Sequence, residues 1–125
     1  MPKITASAPV LLVRNVVASA KYYRECVGFH GCIFHAENTF CILSWGDFHL
    51  MLAQAEADQI TPIWKIRDKT CGAYFWVDDA DTLYAEMKAR GARMDYGPCT
   101  QPYGVREFGI QDLDEHDISF GQVLR

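Results

Sequence analysis

The chain has 125 residues, of which 50% are hydrophobic and 22% are charged, and its net charge at pH 7 is −4. This composition predicts one compact domain with a substantial core and excludes a disordered chain. Because lysines and arginines are scattered along a mildly acidic chain, no nucleic-acid partner is expected. No apolar run approaches the roughly 20 residues of a membrane helix, so no membrane partner is expected either.

The cysteines and the first residues indicate a cytoplasmic protein. Five cysteines are an odd number, and no two of them form a CxxC pair. This pattern argues against a disulfide framework or a zinc knuckle and fits free thiols in a reducing compartment. Residues 1–7 lack the continuous apolar segment of a secretion signal.

The first half predicts one strand, one helix and three further strands. Residues 9–14 are apolar and rich in β-formers, and Asn15 is a good N-cap for a helix over residues 18–27 that ends at Gly28. Apolar runs follow at about 30–36, 39–45 and 48–54, separated by turn residues. Such spacing predicts an antiparallel meander.

The second half repeats this order after a polar connector over residues 55–70. A strand over 72–77 leads to a helix capped by Asp79 or Asp81 and stopped by Gly91. Strands near 93–99, 104–111 and 116–122 complete the set. Val13 and Val77 are 77 − 13 = 64 positions apart. This repeat predicts two modules of one fold, at about 8–54 and 71–122, within a single domain over 1–125.

Two segments carry a family resemblance. Residues 18–29, ASAKYYRECVGF, resemble the signature s-x-x-F-Y-x-x-x-L-G-F, and residues 103–116, YGVREFGIQDLDEH, resemble yGxREFxxxDPdGh. Both signatures are those of the vicinal oxygen chelate superfamily (glyoxalase, bleomycin resistance protein and dioxygenase), and the Arg-Glu-Phe form is nearest the bleomycin-resistance branch. Leu113 and Glu115 depart from the pattern by replacing its Pro and Gly. The resemblance covers about residues 8–122 and implies an α+β fold, with two βαβββ modules forming a curved mixed sheet around a groove.

The resemblance also implies where a metal would be bound. Enzymes of this superfamily place one ligand near the start of each module's first strand and one on each last strand. By register those positions are Ala8, Met51, Gly72 and Ser119. Alanine and glycine have no donor, a thioether is too soft and a serine hydroxyl is weak. The sequence therefore predicts no metal, no cofactor and no catalytic residues, and it leans against an enzyme.

Nine side chains are candidate ligand contacts. Because side chains alternate along a strand, His49 and Met51 are expected on one face of their strand, and Tyr74 and Trp76 on one face of theirs. The seventh strand offers either Arg106 and Phe108 or Glu107 and Gly109. The full candidate set is His49, Met51, Trp64, Tyr74, Trp76, Tyr103, Arg106, Glu107 and Ser119. Aromatic rings with a few polar groups suit a flat organic ligand. The same rings are also typical of a core, and an ion pair between Arg106 and Glu107 is a further alternative.

The leading interpretation is a metal-free small-molecule-binding protein of the bleomycin-resistance type. It would sequester an aromatic or cationic compound in the groove, and its relatives imply a homodimer. One alternative is a metal-dependent or metal-free lyase, isomerase or dioxygenase, for which His49 with Glu107 or Asp117 is the best acid–base pair. The other alternative is a dimeric interaction module whose groove is filled.

Overall fold

The computed structural model describes all residues from Met1 to Arg125. The chain divides into two compact units, Met1–Ile60 and Thr61–Arg125, and the division lies within the predicted connector. Each unit contains a four-stranded mixed sheet and a helix after its first strand. The predicted α+β fold with two βαβββ modules is confirmed. No helix has the length and apolar character needed to cross a membrane.

The first unit contains four strands and one main helix. Its sheet has the order β1-β4-β3-β2, in which β1 runs parallel to β4 and the other pairs are antiparallel. The helix α1 continues into a π-helical turn over Tyr23–Val27, and a short 3₁₀ turn at Ala57–Gln59 follows the last strand. The elements are β1 Val10–Val13, α1 Val16–Tyr22, β2 Gly31–His35, β3 Phe40–Trp45 and β4 Phe48–Gln54.

The second unit repeats the first, with an additional short helix before its first strand. Its sheet has the order β5-β8-β7-β6, and β5 runs parallel to β8. The elements are α2 Ile63–Ile66, β5 Ala73–Trp76, α3 Ala80–Ala89, β6 Arg93–Thr100, β7 Val105–Gln111 and β8 Asp117–Val123. All eight strands begin and end within one residue of their predicted bounds.

Capping side chains determine where the two main helices begin. The Asn15 side chain accepts the backbone N–H of Ala18 at 3.0 Å, so α1 begins at Val16, two residues before the predicted start. In the second unit Asp79, rather than Asp81, is the N-cap, and it accepts the backbone N–H of Thr82 at 3.1 Å. A cap satisfies an N–H that has no partner inside the helix, which is why each helix starts directly after it.

One face of each sheet forms the core of its unit. In the first unit the strands bury leucines such as Leu43 and Leu50, and α1 contacts β3 and β4. In the second unit Phe108 stacks on Phe120 with ring centroids 5.2 Å apart, while Tyr84 of α3 meets Phe108 edge-on. Because side chains alternate along a strand, the other face carries a separate set of residues. Six of the nine candidates lie on those opposite faces: His49, Met51, Tyr74, Trp76, Glu107 and Ser119.

Candidate functional site

Two rows of residues cross the second sheet on the face away from α3. In the first row Tyr74 pairs with Ser119, Ser119 with Gly109, and Gly109 with Tyr96. In the next row the register aligns Trp76, Gly121, Glu107 and Cys99. The seventh strand therefore contributes Glu107 and Gly109 to this face, which decides between the two alternatives that the sequence left open.

Two glycines make room for two tyrosine rings on this face. A Cβ atom on Gly109 would collide with the ring of Tyr96, and one on Gly121 would collide with the hydroxyl end of Tyr74. Close approach of a side chain to the backbone is a common reason for glycine within a strand. The rings of Tyr74 and Tyr96 therefore lie over β8 and β7, and their hydroxyl groups reach Glu107.

The carboxylate of Glu107 accepts four hydrogen bonds and is only 6% exposed. Tyr74 and Tyr103 each donate a hydroxyl proton to Oε1 at 2.8 Å. Tyr96 donates to Oε2 at 2.7 Å, and the Gln101 amide donates to the same oxygen at 3.4 Å. Since a carboxylate offers about four acceptor positions, this group is fully satisfied. We call Tyr74, Tyr96, Gln101, Tyr103 and Glu107 the tyrosine–carboxylate cluster.

The cluster carries one negative charge at neutral pH. Burial acts to raise the pKa of Glu107, but the hydrogen bonds from its tyrosine partners outweigh burial and lower the pKa below its ordinary value. Partial desolvation of the Tyr103 hydroxyl and its hydrogen bond to Glu107 raise the pKa of Tyr103 to about 12. The same causes raise the pKa values of Tyr74 and Tyr96. The carboxyl group is therefore ionised while its tyrosine partners keep their protons.

An exposed aromatic ring adjoins the cluster. Trp76 follows Tyr74 on the same face of β5, with ring centroids 5.1 Å apart, and is 70% exposed. Tyr103, in the turn before β7, is 65% exposed although its hydroxyl is bonded to Glu107. These exposures show that neither ring belongs to the core of its unit. A flat ligand would find an uncovered indole beside polar groups that are already oriented.

The structure brings together five of the nine candidates, namely Tyr74, Trp76, Tyr103, Glu107 and Ser119. Trp64 is held elsewhere in the second unit, where its indole N–H donates to the backbone oxygen of Glu115 at 2.6 Å.

Arg106 lies apart from this group. Its guanidinium donates to the Asp81 carboxylate at 3.1 Å and to the Thr100 hydroxyl at 3.4 Å. The alternative of an ion pair between Arg106 and Glu107 is therefore wrong. Successive residues of a strand face opposite sides of the sheet, so Arg106 shares its face with the buried Phe108.

His49 and Met51 belong to the first unit, on the face away from its buried leucines. Met51 lies between Val10 and Ile42 in the register of the sheet, and His49 lies opposite Ser44. The Nδ1 atom of His49 is buried without a hydrogen-bond partner. The acids that the sequence paired with it, Glu107 and Asp117, belong to the second unit.

Sequence reasoning missed Tyr96 and Gln101. Both belong to the cluster, yet neither was a candidate. No face was predicted for the sixth strand, and alternation would not have placed Tyr96 here, because β6 has register shifts between Met94 and Tyr96 and between Tyr96 and Cys99. A bulged strand does not keep the period of two that such reasoning requires. Gln101 lies in a turn, where no period exists.

The side chains do not fit a divalent metal ion of the kind that the superfamily resemblance implies. In neither unit do three or more His, Cys, Asp or Glu side chains come together as a metal-binding group. Ser119 is already hydrogen-bonded to Tyr96 at 3.2 Å, and the carboxylate of Glu107 is occupied by its four donors. A divalent ion needs several convergent donors, so these residues supply no such site.

The paired βαβββ units define a protein of the glyoxalase-like class. The chain belongs to the Glyoxalase/Bleomycin resistance protein/Dioxygenase superfamily, whose family model matches residues 5–120. This confirms the resemblance predicted from the two motifs. Among proteins of curated function, none matches this sequence.

Solved structures share this fold over nearly the whole chain. A glyoxalase-related enzyme from Clostridium phytofermentans is 16% identical with a TM-score of 0.79, and 98% of each chain is covered. TnmS3, an antibiotic binding protein from Streptomyces sp. CB03234, is 21% identical with a TM-score of 0.75 and 98% coverage of both chains. The bleomycin-binding protein of Streptomyces verticillus, complexed with copper(II)-bleomycin, is 25% identical, with a TM-score of 0.68 and coverage of 100% of this chain and 99% of that one.

Proposed function

We propose that this protein binds an aromatic small molecule on the cluster-bearing face of the second sheet and sequesters it without metal chemistry. The observation that carries the proposal is the exposed Trp76 ring beside Tyr74, whose hydroxyl group is bonded to the buried, ionised Glu107. Superfamily membership and the antibiotic-binding neighbours support a small-molecule-binding role. The bleomycin-resistance type of activity, acting by sequestration, is our extension of that role to this chain.

Stacking on Trp76 would supply most of the affinity. An indole that is 70% exposed leaves a large apolar surface in water, and covering it with a flat ring is favourable. The neighbouring tyrosines are held by Glu107, so they lose little conformational freedom when a ligand arrives. Such preorganised polar groups beside an apolar surface are typical of small-molecule sites.

A substitution of the exposed indole tests this proposal. Trp76→Ala should weaken binding of bleomycin, or of the best aromatic antibiotic in a panel, by about tenfold in isothermal titration, because the loss of covered apolar area adds to the contribution of about 0.5–1.5 kcal/mol from one stacked ring. Phe48→Ala, which removes another exposed ring from the first unit, is the control and should leave the affinity unchanged. Equal affinities of wild type and Trp76→Ala would contradict the proposal.

Elemental analysis tests the metal-free part. We expect no stoichiometric metal in protein purified from metal-replete medium, and no saturable thermal shift with Mn²⁺, Ni²⁺, Zn²⁺ or Fe²⁺. A saturable shift with one of these ions would favour a lyase or dioxygenase instead.

We propose further that the protein is a homodimer in the cytoplasm. The first sheet carries exposed apolar side chains at both of its edges, Val10 at 54% and Ile33 at 61% exposure, with Met51 and Ile42 between them. A second copy of the chain that covers this row would remove apolar surface from water. Sedimentation should give a dimer for the wild type and a monomer for Ile33→Glu, and a wild-type monomer would contradict this part of the proposal.

A further inference from the structure

We propose that the tyrosine–carboxylate cluster selects ligands whose polar groups donate hydrogen bonds, as an ammonium, amide N–H or hydroxyl does, and discriminates against carboxylates. The selecting atoms are the hydroxyl oxygens of Tyr74 and Tyr103. This inference depends on the proposed function, because it concerns the same face of the second sheet.

Each tyrosine hydroxyl has a single proton, which it donates in a hydrogen bond to Glu107. Tyr74 and Tyr103 both donate to Oε1 of Glu107 at 2.8 Å. A phenol that has used its proton can only accept a further hydrogen bond. These two oxygens therefore present lone pairs to a ligand and have no proton to offer it.

Tyr96 is different because its oxygen already has a second partner. Its hydroxyl donates to Glu107 at 2.7 Å, and the hydroxyl of Ser119 lies 3.2 Å from the same oxygen, where it can donate. The acceptor capacity of Tyr96 is thus used within the sheet. Only Tyr74 and Tyr103 remain as acceptors. Tyr74 contacts the ring of Trp76, and Tyr103 is the most exposed tyrosine of the cluster.

The direction of these hydrogen bonds is fixed by the carboxylate. If Tyr74 or Tyr103 turned its proton toward a ligand, a buried carboxylate oxygen would lose a donor without water to replace it. The charge of Glu107 also has no cationic partner, since its donors are phenols and an amide and the adjacent Arg106 bonds to Asp81. An anionic ligand group would therefore meet both a lone pair and an uncompensated negative charge.

Four probes with one ring system separate the possible outcomes. They are 2-naphthylmethylamine (cationic donor), 2-naphthamide (neutral donor), 2-acetonaphthone (neutral acceptor only) and 2-naphthoate (anion). Each would be titrated into ¹⁵N-labelled wild-type protein at neutral pH, and dissociation constants taken from the amide shifts of residues 73–76. We expect the amine to bind about tenfold or more tightly than the naphthoate, and the amide several-fold more tightly than the ketone, as expected for about one or two hydrogen bonds.

Glu107→Gln tests the source of the preference. A neutral amide would remove the charge and one of the two acceptor oxygens, so the tyrosine protons would be held less firmly and the ratio of amine to naphthoate affinity should fall to about threefold or less. The matched control is Glu86→Gln, which removes the same charge from an exposed position on α3 and should keep the ratio. If Glu107→Gln does not fold, Tyr103→Phe removes one acceptor at an exposed position and should reduce the preference for the amide over the ketone.

The outcomes distinguish this inference from the proposed function. Equal affinities of all four probes for the wild type would overturn donor selection and leave aromatic binding intact. A preference for the naphthoate or the ketone would also overturn it. If none of the probes shifts residues 73–76, both the inference and the proposed function are wrong.

Discussion

The two units have the same strand order and pairing but contrasting chemistry on the sheet face away from their helix. In the first unit the central row reads Val10, Met51, Ile42 and Ile33, all apolar. The corresponding row of the second unit reads Tyr74, Ser119, Gly109 and Tyr96. In the next row Phe40 and Ala53 of the first unit stand where the second has Glu107 and Gly121. The duplicated architecture therefore does not determine what its free face can bind.

The contrast shows which face of each sheet is constrained by packing against a helix. At the centre of each sheet the helix-facing positions are apolar and buried, as Leu43 and Phe108 show. The opposite positions can change because they do not hold the helix to the sheet. In the second unit the loss of side chains at Gly109 and Gly121 is what admits the tyrosine rings, so an organised polar cluster follows from two small residues.

The largest expected effect is on the free energy of unfolding, from substitutions on the helix-facing side of each sheet. Phe108→Ala should lower the free energy of unfolding by about 3–5 kcal/mol, and Leu43→Ala in the first unit by about 2–5 kcal/mol, because both leave cavities in a buried layer. Ile66→Ala, at an exposed position, is the control and should change stability by about 0.5 kcal/mol or less. Urea unfolding measures all three. A loss under about 1 kcal/mol for either core variant would mean that its sheet face is not a core.

The next effect concerns the glycines that distinguish the second unit. Gly121→Ala and Gly109→Ala should each cost about 1–3 kcal/mol, since the new methyl group meets a tyrosine ring held against the sheet. Gly97→Ala is the matched control, because its Cβ would lie 3.7 Å from the Tyr84 hydroxyl, an ordinary contact. Thermal unfolding compares the three variants. Tolerance of alanine at both Gly109 and Gly121 would show that the rings do not need the space.

These particulars explain how far the sequence could predict the molecule. Strand bounds were predictable because apolar runs and turn residues mark them, and the repeat of Val13 at Val77 identified the second unit from the first. The family was predictable because its two motifs lie on these same elements. Helix starts were less certain, since both Asp79 and Asp81 are chemically suitable caps and only the structure shows which of them bonds to Thr82.

The candidate site was only partly predictable, for a different reason. Alternation alone could group Tyr74 with Trp76, but on β7 it offered two faces and could not choose Glu107 over Arg106. That choice depends on which residues of the sheet pack against α3, and this packing is set by tertiary structure. Tyr96 was out of reach because the register shifts of β6 break the alternation.

A third test removes the charge at the centre of the cluster. Glu107→Gln should cost about 1–3 kcal/mol at neutral pH, the size of hydrogen bonds to a buried charged group. The pKa of Glu107 is lowered on folding, so its contribution is present above its ordinary value of 4.5 and is lost as the pH falls through the lowered value. Urea unfolding across this acid range should show wild type and variant converging. A constant difference would mean that folding does not lower the pKa of Glu107.

A smaller effect is expected in alkali, and only in the second unit. The pKa of Tyr103 is raised from 10 to about 12 by partial desolvation of its hydroxyl and by its hydrogen bond to Glu107. A raised tyrosine pKa contributes stability that is complete below pH 10 and is lost as the pH rises through 12. Tyr103→Phe should therefore make the alkaline loss of stability less steep, as followed by circular dichroism, whereas Phe48→Ala in the first unit should not. Identical alkaline profiles for wild type and Tyr103→Phe would contradict the bond.

The smallest effect tests the face assignment itself. Arg106 pairs with Asp81 at 3.1 Å on the helix-facing side, and both side chains are partly exposed. Such pairs contribute about 0–1 kcal/mol, so Arg106→Gln should alter stability by no more than that. Because Arg106 faces away from the cluster, the affinity of the protein for 2-naphthylmethylamine should not change. Arg106→Gln and Glu107→Gln thus change neighbouring residues on opposite faces of one strand. If only Arg106→Gln weakened binding, the ligand would lie on the helix side of β7, and the contrast between the two units would have no bearing on function.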